Sequence, residues 1–146
     1  MAVQELYDLD FFEWTQRNAE LLRQGCIHSA DISHIAEELA DMGKRDLRDV
    51  ESCLSRLILH LLKWQFQPAQ QSAVWRSSID DSREQLEGIF EQSPSLRRLA
   101  EQALSKVYQR ARKKASNETG LPDTTFPAAC PYNFGELLDD DFLPKP

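Results

Sequence analysis

The sequence contains few of the residues from which several kinds of functional site are built. Among 146 residues there are only five glycines and three cysteines. The glycines form neither G-x-x-x-x-G-K-S/T nor G-x-G-x-x-G, so we expect no nucleotide site and no cofactor. Cys26, Cys53 and Cys130 lie far apart and include no C-x-x-C pair, which argues against a disulfide framework and a structural zinc site. No G-x-S-x-G elbow is present, and we assign no catalytic residue.

Long apolar runs and an excess of basic residues are also missing. No window approaches 18 uninterrupted apolar residues, and the segment Met1–Glu5 lacks the features of a secretory signal. We therefore expect a cytoplasmic protein with no membrane contact. The net charge is -7 and the pI is about 4.9, which disfavours binding to the phosphates of nucleic acids.

What is present resembles an ordinary globular domain, with 41% hydrophobic and 28% charged residues. Helical periodicity predicts a first helix capped by Asp8 or Asp10 and ended by Gly25. A second helix is predicted from about Asp31 to Phe66, where Pro68 ends it. Its apolar or small residues recur in steps of three and four at 32, 36, 39, 43, 47, 50, 54, 57, 61 and 64. Because the phase survives at Gly43, we expect one continuous helix with Gly43 facing a closely packed neighbour.

Two more helices and an irregular tail follow. The third helix is predicted over about Ser72–Glu91, and the fourth begins at Ser93–Pro94 and ends near Gly120. In the tail, Asn133 and Glu136 are spaced as a capping box for one short helix. The sequence thus predicts an all-α fold in one domain, residues 1–146. It has a four-helix core over about 8–119 with one long central helix, and a C-terminal strap over about 120–146 that contains the short helix.

Three stretches are more distinctive than a helical bundle requires. They are Tyr7–Trp14 (YDLDFFEW), His60–Pro68 (HLLKWQFQP), and the tail from Glu118–Pro122 (ETGLP) to Asp140–Pro144 (DDFLP). With these stretches, the chain resembles, over about residues 7–144, the bacterial family known as domain of unknown function twenty-nine. The resemblance implies a compact, all-helical bacterial protein, and it implies no activity.

Acidic residues near the start of the long helix form a candidate metal or acid–base site. His34, Glu37, Glu38 and Asp41 are three, four and seven residues apart, so they share adjoining strips of the helix surface. Helical-bundle metalloproteins use Glu-x-x-His on two helices, whereas His34-x-x-Glu37 has the reverse order and no second copy. A solvated acidic face is the favoured interpretation. A metal-assisted enzyme that uses His34, Glu37, Glu38 or His60 is the alternative.

The aromatic segment after the long helix is a candidate binding patch. His60, Lys63, Trp64, Phe66 and Trp75 include more large apolar side chains than a helix junction needs. Their packing into the edge of the core is the simpler explanation. As a function, we expect a non-enzymatic module that binds another protein or a second copy of itself.

A basic cluster near the end of the fourth helix gives a second alternative, nucleic-acid binding. It consists of Lys106, Arg110, Arg112, Lys113 and Lys114. Because the whole chain is acidic, pairing with acidic neighbours is the favoured role of this cluster.

Overall fold

The structure, a computed structural model, describes all residues 1–146, and its regular elements are all helices. The six α-helices are α1 (Val3–Leu9), α2 (Phe11–Arg23), α3 (Ile32–Phe66), α4 (Ala73–Gln92), α5 (Pro94–Thr119) and α6 (Phe134–Leu138). Short 3₁₀ turns cover Ile27–Ser29, Pro68–Gln70 and Asp123–Thr125. The all-α class and the long central helix are confirmed. None of the helices combines the length and the apolar character that a membrane span requires.

The helix ends follow the signals in the sequence. The Asp10 side chain accepts from the Glu13 amide at the start of α2, and Ser72 caps α4 through the Trp75 amide. Gly120 closes α5 with a φ of 75°, in the left-handed region that favours glycine. Asn133 and Glu136 form the predicted capping box. The sequence patterns missed α1, whose seven residues are too few for helical periodicity to become visible.

The chain divides into two compact units, Met1–Arg45 and Asp46–Pro146, and α3 contributes to both. The sequence predicts a single domain, and that organisation stays a prediction. In the first unit, Val3, Leu6 and Trp14 form a small core, with Tyr7, Leu21 and Ile35 packed around it. Burial of each large apolar side chain contributes about 1.5–3 kcal/mol.

The second unit holds the main core. The buried face of α3 runs from Val50 to Leu62 and packs with Ile79 and Leu86 of α4 and with Val107 and Tyr108 of α5. The predicted C-terminal strap covers this core through its apolar side chains. Phe126, Tyr132 and Leu137 are buried, and Leu121, Phe134, Leu138 and Phe142 pack against them.

One expectation about α3 is wrong. Gly43 does not face a closely packed neighbour, because a Cβ atom placed on it would meet no atom within 4 Å. Ile32 and Leu39 share the phase of the buried stripe, yet they are exposed. Helical periodicity alone therefore did not indicate which part of α3 is packed against other helices.

Candidate functional site

His34, the first residue of the predicted metal-ligand set, belongs to a polar network inside the first unit. His34 Nδ1 lies 2.7 Å from Asp31 Oδ2, and the Trp14 indole donates to the same oxygen over 2.9 Å. Asn18 Oδ1 accepts from the Asp31 amide and so fixes the start of α3. Asp31 is therefore the buried centre of the network and joins α2 to α3.

The pKa values in this network fit a structural ion pair. Burial acts to raise the pKa of Asp31, but the hydrogen bonds from Trp14 and His34 outweigh it, and the pKa is lowered. The hydrogen bond to Asp31 raises the pKa of His34, which favours the imidazolium. A protonated His34 neutralises the buried carboxylate, so its first role is to stabilise the unit.

Tyr7 joins the acidic residues to this pair. Its ring stacks on His34 with centroids 3.8 Å apart, and its hydroxyl donates to Glu38 over 2.6 Å. The hydrogen bond to Glu38 raises the pKa of Tyr7 to about 12, so the hydroxyl stays protonated. His34 and Glu38 are thus engaged with protein partners, whereas Glu37 and Asp41 are exposed.

No three His, Cys, Asp or Glu side chains are grouped so that they could hold a metal ion. A metal at His34, Glu37, Glu38 and Asp41 would have to use His34 Nε2 and the second oxygen of Glu38, because Nδ1 contacts Asp31 and Oε1 accepts from Tyr7. Metal binding there stays a prediction.

The aromatic candidates lie at the edge of the main core. Trp64 and Phe66 pack against the core, and Phe66 meets the buried Phe126 edge to face. The Lys63 ammonium lies 5.7 Å from the Trp75 ring centre and 3.4 Å from a Glu118 oxygen.

His60 is half-buried and contacts the Arg56 carbonyl through Nδ1. No carboxylate contacts it. The five residues of the predicted binding patch, from His60 to Trp75, are each at least half-buried within the second unit, and their role in binding stays a prediction.

Part of the basic cluster on α5 is paired within the second unit. The buried Glu51 carboxylate on α3 lies 3.1 Å from the Lys106 ammonium and 3.4 Å from Arg110 Nη2. Arg112 donates to the Phe126 carbonyl. These partners match the favoured interpretation of the cluster, in which the basic residues pair with acidic neighbours, and the acidic partner is Glu51 of α3.

A cavity of about 470 Å³ in the second unit was not anticipated from the sequence. Its lining combines two guanidinium groups, two carboxylates and an apolar wall, contributed by Arg83, Arg97, Glu87, Asp140, Phe90, Pro94 and Leu138. Arg83 is only 1% exposed and donates to the carbonyls of Leu137 and Glu136, which end α6. Its Nη1 has no partner. The isolated position of Arg83 in the sequence gave no signal for this role.

The first unit carries most of the exposed large apolar side chains of the protein. Nine of the eleven such residues lie in Met1–Arg45, and only Val74 and Leu99 lie elsewhere. The nine are Met1, Leu9, Phe11, Phe12, Leu22, Ile27, Ile32, Leu39 and Met42. Since scattered single apolar residues are normal on a surface, the informative feature is their concentration in less than a third of the chain.

On α3 these residues form a continuous strip, which we call the α3 stripe. It comprises Ile32, Ala36, Leu39, Met42 and Gly43, all of them exposed. Leu39 is 64% exposed, Met42 53% and Ile32 48%. The other faces of the same helical segment carry charged residues, namely Glu37, Glu38, Asp41, Lys44 and Arg45.

Comparison with known proteins places the chain in a family. No curated protein and no solved structure matches it significantly. The model of one family, described as domain of unknown function DUF29, matches residues 6–143 and confirms the resemblance drawn from the three sequence stretches. The chain therefore belongs to the DUF29 family.

Proposed function

We propose that this protein is a non-enzymatic interaction module that binds a protein partner through the apolar surface of its first unit. The observation that carries the proposal is the exposure of the α3 stripe. Leaving a leucine, an isoleucine and a methionine in water forgoes roughly 1.5–3 kcal/mol for each side chain that a partner could bury. Concentrated exposed apolar surface is a recognised mark of protein–protein interaction sites.

The sequence pattern supports this proposal independently of the exposure. Ile32, Ala36, Leu39 and Gly43 continue the phase of residues that are buried in the second unit, beginning with Val50. A solvated helix surface does not require such a phase. Burial against a partner would account for it.

The test is capture of a partner by the purified protein, with variants that differ only in where a charge is placed. Leu39→Asp puts a carboxylate at the centre of the α3 stripe, and Val74→Asp puts one at an exposed apolar site of the other unit. Both residues are exposed, so both variants should keep the helical circular dichroism and unfolding midpoint of the wild type. The immobilised proteins are exposed to a lysate of the source organism, and bound proteins are quantified by mass spectrometry.

We expect a stoichiometric partner that binds the wild type and Val74→Asp but not Leu39→Asp. A third variant, Trp75→Ser, tests the aromatic patch predicted from the sequence. Loss of the partner in Trp75→Ser and its retention in Leu39→Asp would move the binding surface to Trp75. Equal capture by all four proteins would contradict both locations.

A further inference from the structure

We propose that the cavity lined by α4, α5 and the end of α6 binds a small zwitterion with an apolar side chain, of the class of the free α-amino acids. The site lies within the second unit, whereas the surface that carries the proposed function lies in the first. Two separate observations support it. One is a buried guanidinium nitrogen without a partner, and the other is a set of unpaired charges of both signs around one cavity.

The guanidinium of Arg83 is the first observation. Its Nε and Nη2 donate to the carbonyls of Leu137 and Glu136, which fixes the group at the wall of the cavity. Nη1 has no acceptor, although the side chain is only 1% exposed. A buried charged donor without an acceptor destabilises a protein. An oxygen atom of a bound anionic group would complete the hydrogen bonds of this guanidinium.

The surroundings of this nitrogen favour a carboxylate as the acceptor. Arg97 lines the same cavity, and its only ion pair is a 3.9 Å contact with Glu101 on the surface of α5. α5 begins at Pro94, also in the lining, and has no capping side chain from Ser93, so the positive end of its dipole lies at the cavity. Nη1 is covered in the free protein, so an exposed side chain of the rim, such as Arg97, has to shift to admit the ligand oxygen.

Two carboxylates on the cavity wall argue against a simple anion as the ligand. Glu87 and Asp140 line the cavity beside the two arginines, and none of the four groups forms an ion pair with another. Both carboxylates would repel an inorganic anion, whereas they would attract an ammonium group next to the ligand carboxylate. A molecule with one charge of each sign therefore matches the lining better than an anion or a cation does.

The apolar wall and the size of the cavity define the rest of the ligand. Phe90, Pro94 and Leu138 provide hydrophobic surface in the same cavity as the charged groups. The volume of about 470 Å³ is within the usual range of small-molecule sites. The side chain of leucine or phenylalanine can pack against this wall while the two charges of the amino acid meet the polar groups.

Isothermal titration calorimetry of the full chain with leucine and with phenylalanine tests the proposal. We expect dissociation constants of roughly 10 μM to 1 mM for such small ligands. Arg97→Met and Arg83→Met should each weaken binding about tenfold or more, because each removes charge-assisted hydrogen bonds to the carboxylate. Arg98→Met is the matched control. Arg98 is exposed and does not line the cavity, so this variant should bind as the wild type does.

Ligand analogues test the two charges separately. N-Acetylleucine lacks the ammonium group and leucinamide lacks the carboxylate, so each should bind roughly tenfold more weakly than leucine. Glu87→Gln removes one attracting carboxylate and should reduce the preference for leucine over N-acetylleucine. These comparisons remain decisive if Arg83→Met is too unstable to measure, because Arg97 and Glu87 are exposed and their variants should fold.

Three results would overturn the inference. The first is the absence of binding by leucine and phenylalanine at roughly 10 mM. The second is equal affinity for leucine and both analogues, which would show that the charges are not recognised. The third is wild-type affinity for leucine in Arg97→Met and Glu87→Gln, which would place the ligand outside the cavity. None of these results bears on the capture of a partner through Leu39, which concerns the first unit.

Discussion

Replacement of Arg83 by methionine measures what the buried guanidinium contributes to the second unit. Arg83 Nε donates to the Leu137 carbonyl over 2.8 Å, and Nη2 donates to the Glu136 carbonyl over 3.2 Å. These carbonyls belong to the end of α6, whose dipole favours a nearby cation. Methionine retains most of the apolar stem but removes both donors. The perturbation therefore isolates the anchoring of α6 to α4.

The magnitude follows from two opposing terms. Hydrogen bonds from a charged donor contribute about 1.5–3 kcal/mol each, so loss of two such bonds removes roughly 3–6 kcal/mol. Removal of a nearly fully buried guanidinium also relieves its desolvation, a penalty of several kcal/mol. Burial lowers the pKa of Arg83, and its unpartnered Nη1 is consistent with incomplete compensation of that penalty. We expect a net loss of about 2 kcal/mol, or roughly 4–8 °C in Tm for a chain of this size.

Urea denaturation followed by circular dichroism gives the free energy of unfolding, and hydrogen exchange gives the local effect. The amides of α6 should exchange faster in Arg83→Met, because this helix loses its anchor. Arg97→Met is the control, since Arg97 is exposed and its guanidinium lies 5.8 Å from the Phe134 ring centre. That variant should lose no more than about 1 kcal/mol. Wild-type or higher stability of Arg83→Met would refute the anchoring role and point to the adjoining cavity as the reason for a buried charge.

Three further predictions concern the first unit and the glycines. Trp14→Phe removes the donor to buried Asp31 and should destabilise the first unit by about 1.5–3 kcal/mol, measured by local hydrogen exchange; unchanged exchange in Met1–Arg45 would contradict this. His34 faces Asp31, Glu37 and Asp8 and has a raised pKa. The stability that the imidazolium contributes to the first unit should therefore be complete below pH 6.5, the ordinary pKa of histidine, and decline as the pH rises through the raised pKa. Asp31 has a lowered pKa, so its contribution to the stability of the first unit should be complete above pH 3.8 and decline as the pH falls through the lowered value. Hydrogen-exchange rates of the first unit measured over a pH series, with His34→Gln as the control, test both signs. Gly120→Ala should destabilise the protein by roughly 1–2 kcal/mol because of the positive φ at this position, whereas Gly43→Ala should stabilise it by about 0.5–1 kcal/mol. Equal effects of the two substitutions in thermal unfolding would refute this contrast.

Local signals in the sequence were sufficient for most of the fold. Asp10, Ser72, Gly120 and the Asn133–Glu136 box act on their own backbone within four residues, so the chain near them determines the helix ends. The position of Arg83 could not be foreseen in this way. Its partners are carbonyls more than 50 residues away, and a carbonyl has no identity in a sequence pattern.

The candidate site was predictable only in part. The spacing of His34, Glu37 and Glu38 correctly placed three polar groups on neighbouring strips of one helix. It gave no indication that Asp31 would hold His34 or that Tyr7 would hold Glu38, because those contacts depend on tertiary packing and local geometry. The aromatic segment was singled out by its composition. Composition does not distinguish an aromatic side chain packed at the edge of the core from one that is exposed and available to bind a partner.

The central helix shows why an incorrect structural expectation can still carry functional information. Periodicity predicted that Gly43 and Leu39 face a neighbour, and within one chain they do not. A helix exposed to water on all sides tolerates polar residues at every position, so an apolar stripe that keeps its phase is not required for the folding of the monomer. The stripe is accounted for if a second helix covers it. Leu39→Asp and Val74→Asp place the same charge on an exposed apolar site of each unit, so loss of partner capture in Leu39→Asp alone is a result that general stickiness of the surface would not reproduce.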